Sequence, residues 1–255
     1  MSFPSPTPLS AWADLLEPVW PRGPVAVYAQ TASTQDVCRG RPEGFLCVAG
    51  RQTAGRGRLG RAWVAPADQT LTLSFTAPPD LSHGRLSLAV PVAVCRALAP
   101  LLAPAGLAPA IKWPNDVFVG RRKLAGILIE VENGLPIVGL GLNVGTRAED
   151  FPEDLRDKAT SLAALGCLPS GGDRLPVLLD LLPELDRVLE EMRAAPDAVL
   201  VQWRSLALSF PASFRCDGVV YSGEVLDVDA DRGLVLRLVS GEITHLPAAR
   251  TTTAG

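Results

Sequence analysis

Histidine is almost missing from this chain, with two in 255 residues. The five cysteines, Cys38, Cys47, Cys95, Cys167 and Cys216, form no Cys-x-x-Cys pair. Together these two shortages exclude a structural zinc site. An odd number of scattered cysteines also excludes a disulfide scaffold and suits reduced thiols, so a cytoplasmic location is expected. None sits in a recognisable nucleophile context, and buried apolar cysteine is the commoner state. Neither sign of charge is in excess. The 24 basic and 27 acidic residues leave a net charge of −3, too balanced for a protein that coats nucleic acid by bulk electrostatics. A long uncharged apolar run is lacking too. The most apolar segment, 86–111, carries Arg96 and prolines at 91, 100, 104 and 109, which suits a buried helix and its exit better than a membrane span. The start, MSFPSPTPLS, has no basic region followed by an apolar one, so no signal peptide is read there. No repeat of solenoid period is present.

Lysine is the other scarcity. Only Lys112, Lys123 and Lys158 stand among the 24 basic residues; the rest are arginine. A compact, flexible ammonium differs chemically from a guanidinium fork, so a lysine in such a chain marks a place where the fork will not serve. Two of the three fall in one short stretch.

What is abundant is apolar. Hydrophobic residues make up 47% and charged residues 20%, which gives a folded chain with a real core. The length suits one large domain with a small module, expected as 1–210 and 211–255. Strands are predicted at 24–29, 45–49, 70–76, 110–113, 117–119, 124–131 and 137–144, the 70–76 segment alternating as a half-buried strand. Asn133-Gly134 between the last two is the strongest hairpin signal. From Thr160 to Leu208 the pattern turns helical, with Leu178, Leu182, Leu185 and Leu189 at helical spacing. From 213 to 250 come short β-rich runs (219–221, 224–228, 234–239 and 242–246) separated by turn residues, the pattern of a small antiparallel barrel. The fold class expected is α+β, a mixed sheet flanked by helices, with that barrel appended.

Four constellations could carry chemistry. The loop Arg51-Gln-Thr-Ala-Gly-Arg-Gly-Arg-Leu-Gly-Arg61 has four arginines, three glycines and no acid. Glycine lets backbone N–H groups approach a ligand and arginine forks suit phosphate or carboxylate, so the loop should be mobile until an anion neutralises it. Alone it reads equally as a solvated loop. It matches neither a Walker A nor a kinase glycine loop. Lys112-Trp-Pro-Asn-Asp116, followed by Arg122-Lys-Leu-Ala-Gly-Ile127, presents Lys112, Asn115, Asp116 and Lys123 around a turn and a strand start; an ordinary turn is the plainer reading of Asn-Asp after Pro. Gly139-Leu-Gly-Leu-Asn143 puts two glycines on one strand face, either a flat floor for a planar ligand or a packing surface. Ser33-Thr34-Gln35 opens a short helix, where a plain N-cap is the simpler account.

Taken in order, these segments resemble the biotin–protein ligase family. Ser33-Thr34-Gln35 is similar to its Ser-Thr-Asn/Gln segment, with Gln35 where Asn is frequent; Gly55-Arg-Gly-Arg-Leu-Gly-Arg61 is similar to its arginine loop. Lys112-Trp-Pro-Asn-Asp116 with Arg122-Lys-Leu-Ala-Gly-Ile-Leu-Ile-Glu130, its most specific signature, and Gly139-Leu-Gly-Leu-Asn143 complete the likeness over about residues 25–145. The resemblance implies a class II synthetase-like catalytic domain and an SH3-like C-terminal barrel. It also implies a two-step reaction: biotin and ATP, with Mg²⁺, give biotinyl-AMP, and a lysine of a biotin carboxyl carrier protein then takes the biotinyl group. By motif, biotin falls to Ser33, Thr34, Gln35, Gln52, Arg56, Gly57, Arg58, Lys123 and Gly126. ATP falls to Arg58, Arg61, Trp63, Lys112, Asn115, Asp116 and Asn143. Lys123 and Arg58 are the catalytic candidates, and no residue is assigned to a metal. Only 32 residues precede Ser33, so the form without a DNA-binding domain is expected, with no DNA or membrane partner and a homodimer left open. A lipoate–protein ligase of the same fold is the nearest rival. An RNA-binding protein is another, but the 213–250 module holds four arginines against six acids.

Overall fold

The structure is a computed structural model that describes residues 7–64, 66–168, 172–209 and 213–253. The expected boundary between 210 and 211 lies outside those residues. Seven strands form the larger sheet: β1 (Val25–Thr31), β2 (Leu46–Gln52), β3 (Thr70–Thr76), β4 (Pro109–Lys112), β5 (Asp116–Val119), β6 (Arg122–Glu132) and β7 (Leu135–Asn143). Their order is β1-β2-β3-β7-β6-β5-β4, with β1 and β2 parallel and every other pair antiparallel. Asn133 and Gly134 both take positive φ (50° and 81°), the backbone of a two-residue hairpin turn whose twist matches its strands.

One face of this sheet carries the helices α3 (His83–Leu102), α4 (Leu175–Ala194) and α5 (Pro196–Leu206). Ser82 starts α3 by accepting the Arg85 N–H at 3.2 Å. The apolar 86–111 segment is thus a buried core helix that exits into β4, with Leu86, Val90, Val94 and Leu98 all inside. Leu71, Leu73 and Phe75 of β3 join the same core. The other face of β3 presents Thr72, Ser74 and Thr76, which are also buried, so the strand is not half-exposed as its alternation suggests. Its polar side faces the short helix α2 (Thr34–Cys38) rather than solvent.

Among the described residues the helix expected from Thr160 is found from Leu175. Residues 159–168 turn irregularly because their backbone is committed elsewhere: the Lys123 N–H donates to the Lys158 carbonyl and the Thr160 N–H to the Lys123 carbonyl, each at 2.8 Å. An element absent from the sequence reading, α1 (Trp12–Leu16), buries Trp12 and Leu16, and Trp20 just beyond stacks edge-on against Phe75 at 5.3 Å.

The C-terminal residues form a five-stranded antiparallel sheet of β8 (Ser213–Cys216), β9 (Val219–Asp229), β10 (Gly233–Leu238), β11 (Ile243–Leu246) and β12 (Thr251–Thr253), ordered β11-β10-β9-β8-β12. The runs 219–221 and 224–228 are one strand, β9, with an irregularity where it faces Val235 and Leu236. This small sheet sits on the N-terminus of α3. Arg85 bonds both carboxylate oxygens of Asp231 (2.9 and 3.2 Å), and Arg204 of α5 holds Asp227 at 2.7 and 2.9 Å. Gly84 permits the approach, since a Cβ there would lie 2.3 Å from the Ala230 carbonyl oxygen. Gly84→Ala tests which effect wins. Helix propensity alone favours alanine by about 1 kcal/mol, whereas the clash should cost about 1–3 kcal/mol; a lower midpoint in chemical denaturation is the expected result.

Candidate active site

The sheet register builds a floor. On the α2-bearing face, Thr72 of β3 pairs with Gly141 of β7, Gly141 with Gly126 of β6, and Gly126 with Asp116 of β5. One step along, Ser74 pairs with Gly139 and Gly139 with Leu128. With no side chain on Gly126, Gly139 or Gly141, this row is a shallow trough in an otherwise filled surface. Above it lies a cavity of about 370 Å³, lined by every candidate residue named from the sequence. All three lysines of the chain line it, Lys158 among them.

At one end, α2 closes the trough. Ser33, Thr34 and Gln35 are all buried. Ser33 occupies the N-cap position, but its side chain makes no capping bond. Thr34 does the joining instead: its N–H and hydroxyl both donate to Gln52 Oε1 (2.7 and 3.0 Å), and its hydroxyl also bonds Ser74 Oγ at 2.7 Å. Gln35 lies across Gly139, its amide nitrogen reaching the Ile137 carbonyl at 3.4 Å while its buried Oε1 has no partner. A buried acceptor without a donor costs free energy until something supplies one.

The floor itself is covered. The Trp63 indole rests on Gly141, where a Cβ would fall 2.3 Å from its Cε2, and its edge reaches Gly126. Lys123 Nζ stands 5.5 Å over that ring and 2.6 Å from Asp116 Oδ1. The indole N–H is buried with no acceptor. The planar group on the glycine floor is therefore, without ligand, one of the chain's own.

Two of the four charges of the arginine loop have partners within the protein. Arg56 forks onto both oxygens of Asp36 at 2.9 and 2.8 Å, with Glu130 at 3.4 Å. Arg58 donates to Asn115 Oδ1 (3.1 Å) and to the carbonyls of Ala248 (2.6 Å) and Thr251 (2.8 Å) of the C-terminal segment. Burial holds its guanidinium below the ordinary range, an effect that Asp116 opposes. Within the loop the Gly57 N–H closes onto the Arg61 carbonyl at 2.7 Å, and Arg56 bridges Ala62. Arg61 stays exposed.

Asn115 and Asn143 are tied to the scaffold as well. The Asn115 amide donates to the Ile127 carbonyl, and the Ile127 N–H returns a bond to the Asn115 carbonyl at 3.1 Å. Asn143 Nδ2 donates to the Thr160 carbonyl at 3.0 Å. Lys112 is exposed and stacks over Phe118 at 5.1 Å. Sequence reasoning missed Ser74, Phe151, Leu155 and the β12 residues Thr252 and Thr253, which also line the cavity. Only Ser74 had a signal, as a polar residue on the second face of β3.

A slot with hydrogen-bonding groups at one end, cations along its length and an open mouth suits two anionic substrates held end to end. Residues 27–146 match the Biotin/lipoate A/B protein ligase family. The chain belongs to that family. It is 36% identical to the biotin–[acetyl-CoA-carboxylase] ligase of Mycobacterium tuberculosis, over 86% of this chain and 88% of that one. It is 34% identical to the bifunctional ligase/repressor BirA of Bacillus spizizenii, over 78% of this chain but 63% of that longer protein. Among solved structures it resembles the Aquifex aeolicus biotin protein ligase in complex with biotin and ATP, at TM-score 0.75 and 27% identity, covering 89% of this chain and 97% of that one.

The floor contact is testable. Gly141→Ala sets a methyl against the indole, so the ring must lift. Tryptophan emission should shift to the red in this variant, and the shift should vanish when Trp63→Phe is added; a shift that survives in the double variant would place the change at another tryptophan.

Proposed function

We propose that the chain is an ATP-dependent biotin–protein ligase that makes biotinyl-5′-AMP and transfers its acyl group to a lysine of the biotin carboxyl carrier protein of acetyl-CoA carboxylase. One observation carries this reading. The buried, unpartnered Gln35 Oε1 and the Lys123 ammonium lie along a single glycine floor, one an acceptor for a ureido N–H, the other a cation for a carboxylate. Trp63 must lift from Gly126 and Gly141 for the ring system to enter.

In the first step a biotin carboxylate oxygen attacks the α-phosphorus of ATP. The bond to the bridging oxygen breaks and pyrophosphate leaves with that electron pair. Lys123 exchanges Asp116 for the reacting oxygens and offsets the repulsion of two anions. Arg61 and Lys112, exposed at the same cavity, are placed to meet the triphosphate. Mg²⁺ would be held by phosphate and water as the counter-ion of ATP, since the described residues gather no cluster of three metal-ligating side chains. In the second step the acceptor amine attacks the acyl carbonyl, a C–N bond forms, AMP leaves and the amine loses its proton. Residues 1–210 then serve as the catalytic unit and 211–255 as a module lending Thr252 and Thr253 to the rim. Nothing in this chemistry calls for DNA or a membrane, and the five free thiols fit a reducing cytoplasm.

Biotin with Mg-ATP and no acceptor should release pyrophosphate and leave biotinyl-AMP on the protein. Lipoate releasing pyrophosphate while biotin releases none would transfer the assignment to the lipoate branch of the family. Lys123→Arg keeps the charge but widens and misplaces it. Turnover at saturating biotin and ATP should fall by roughly a hundredfold to a thousandfold, the range for loss of one preorganised donor, with thermal stability little changed. A fall of less than about threefold would mean that Lys123 does not touch the reacting atoms.

A further inference from the structure

Arg56 is assigned by resemblance to the ligand, yet its geometry is that of a group already engaged. Both of its terminal nitrogens meet the two oxygens of one carboxylate, Asp36, at 2.9 and 2.8 Å. Such a fork-on-fork pair is the most directional ion pair available to proteins. Glu130 adds a contact at 3.4 Å. Arg39 approaches Asp36 from the other side (3.3 Å) and continues the chain of charges to Glu130 and Glu132, each at 2.9 Å. Asp36 therefore sits between two guanidiniums, and the Arg56 hydrogen bond is the largest of the effects that hold its carboxyl below the usual range.

Where Asp36 stands in the chain gives this pair its meaning. It directly follows Ser33-Thr34-Gln35, so one short helix turns Thr34 and Gln35 inward to the cavity and Asp36 outward to the loop. Arg56, for its part, stands at the base of the loop, bridged to Ala62 next to Trp63. The pair is thus the side-chain bolt between the helix that closes one end of the cavity and the loop that covers its floor.

We propose that Asp36 is a positioning residue for the ligase reaction: it latches Arg56 and so holds the loop from Gly55 to Trp63 closed over the cavity while the adenylate is made and kept. The proposal rests on the ligase reading. It departs from the resemblance in giving Arg56 a protein carboxylate, not the substrate carboxylate, as its working partner.

Three variants separate the two roles: Asp36→Asn, Arg56→Met and the double variant, each assayed for escape of biotinyl-AMP into a chase of unlabelled biotin. The latch predicts that each single variant speeds escape by about fivefold, the upper end for a partly exposed pair, and that the double variant is no worse than either single one. Asp36→Glu should recover most of the retention. Trypsin gives a readout that needs no ligand, because the segment from Gly55 to Trp63 carries three arginines: cleavage within it should be about fivefold faster in Asp36→Asn, with an unchanged thermal midpoint. Unaltered escape and cleavage in Asp36→Asn would overturn the latch. So would a further loss of about tenfold in biotin affinity on adding Arg56→Met to Asp36→Asn, because a charge-assisted contact to the ligand would then be at stake. A parent protein that forms no adenylate would remove this inference and the ligase reading together; a parent that forms and keeps it, unaffected by Asp36→Asn, removes only the latch.

Discussion

Gly126 and Gly141 must face each other, and the whole site depends on that pairing. The register that brings them together is set seven residues away on each strand by the Asn133-Gly134 turn, from which Glu132 pairs with Leu135 and every later pair follows in step. In a sheet a slip of one residue exchanges the two faces. Here it would turn Leu140 and Leu142 toward the cavity and send the glycines into the helical core. The same ladder extends to Thr72 on one side and Asp116 on the other, so the floor, the polar end wall and the carboxylate that holds Lys123 all follow from one turn. Turn chemistry and site chemistry cannot be varied independently in this fold.

Electrostatics sets the second constraint. A loop with four arginines and no acid should repel itself, and the protein offsets that repulsion from within. It does so by lending the arginines protein acceptors: carboxylates for Arg56, and a side-chain amide oxygen with two close backbone carbonyls for Arg58. The acceptors come from α2, from the turn before β5, from β6 and from residues 248–251 at the start of β12, four places far apart in the sequence. Arg58 contacts, being charge-assisted but made to neutral oxygens, leave its charge uncancelled at the cavity wall. Arg56 is close to neutralised. The two arginines of one Gly-Arg-Gly-Arg run therefore serve different ends, one as a bolt and the other as a charged strut.

Much of this was legible beforehand, for physical reasons that can be named. Asn133-Gly134 announces its hairpin because few residues tolerate positive φ twice in succession. The scarcity of lysine pointed to Lys112 and Lys123, and the structure adds Lys158 to the same cavity. What stayed hidden was whatever depends on distant partners. Trp63 could not be placed on the floor from its own sequence neighbours, since its bed is made of residues 126 and 141. The Asp36 pairing was invisible because a lone acid after a polar triplet looks like an ordinary solvated helix residue. The apolar spacing predicts helix from Thr160, but at the start of that segment the Lys158 carbonyl and the Thr160 N–H are taken by strand-like bonds to Lys123. Residues 11–20 show no periodicity that marks an element, although Trp12, Leu16 and Trp20 supply part of the core beneath β3.

The small C-terminal sheet reaches the cavity wall through Arg58. That guanidinium spans Asn115, whose backbone and side chain are both bonded to Ile127, and the carbonyls of Ala248 and Thr251. The loop that covers the floor is thus fixed to β6 and to the small sheet by a single side chain. On its other side the small sheet is held by Asp231 on Arg85 and Asp227 on Arg204, ion pairs that are substantially exposed and individually weak. The same sheet also buries Phe214, Val228, Leu234, Leu236 and Leu246 in the core it shares with α3 and the larger sheet, so packed side chains add to these pairs. Arg58 thus joins the loop over the glycine floor to a small sheet that is itself packed into the core.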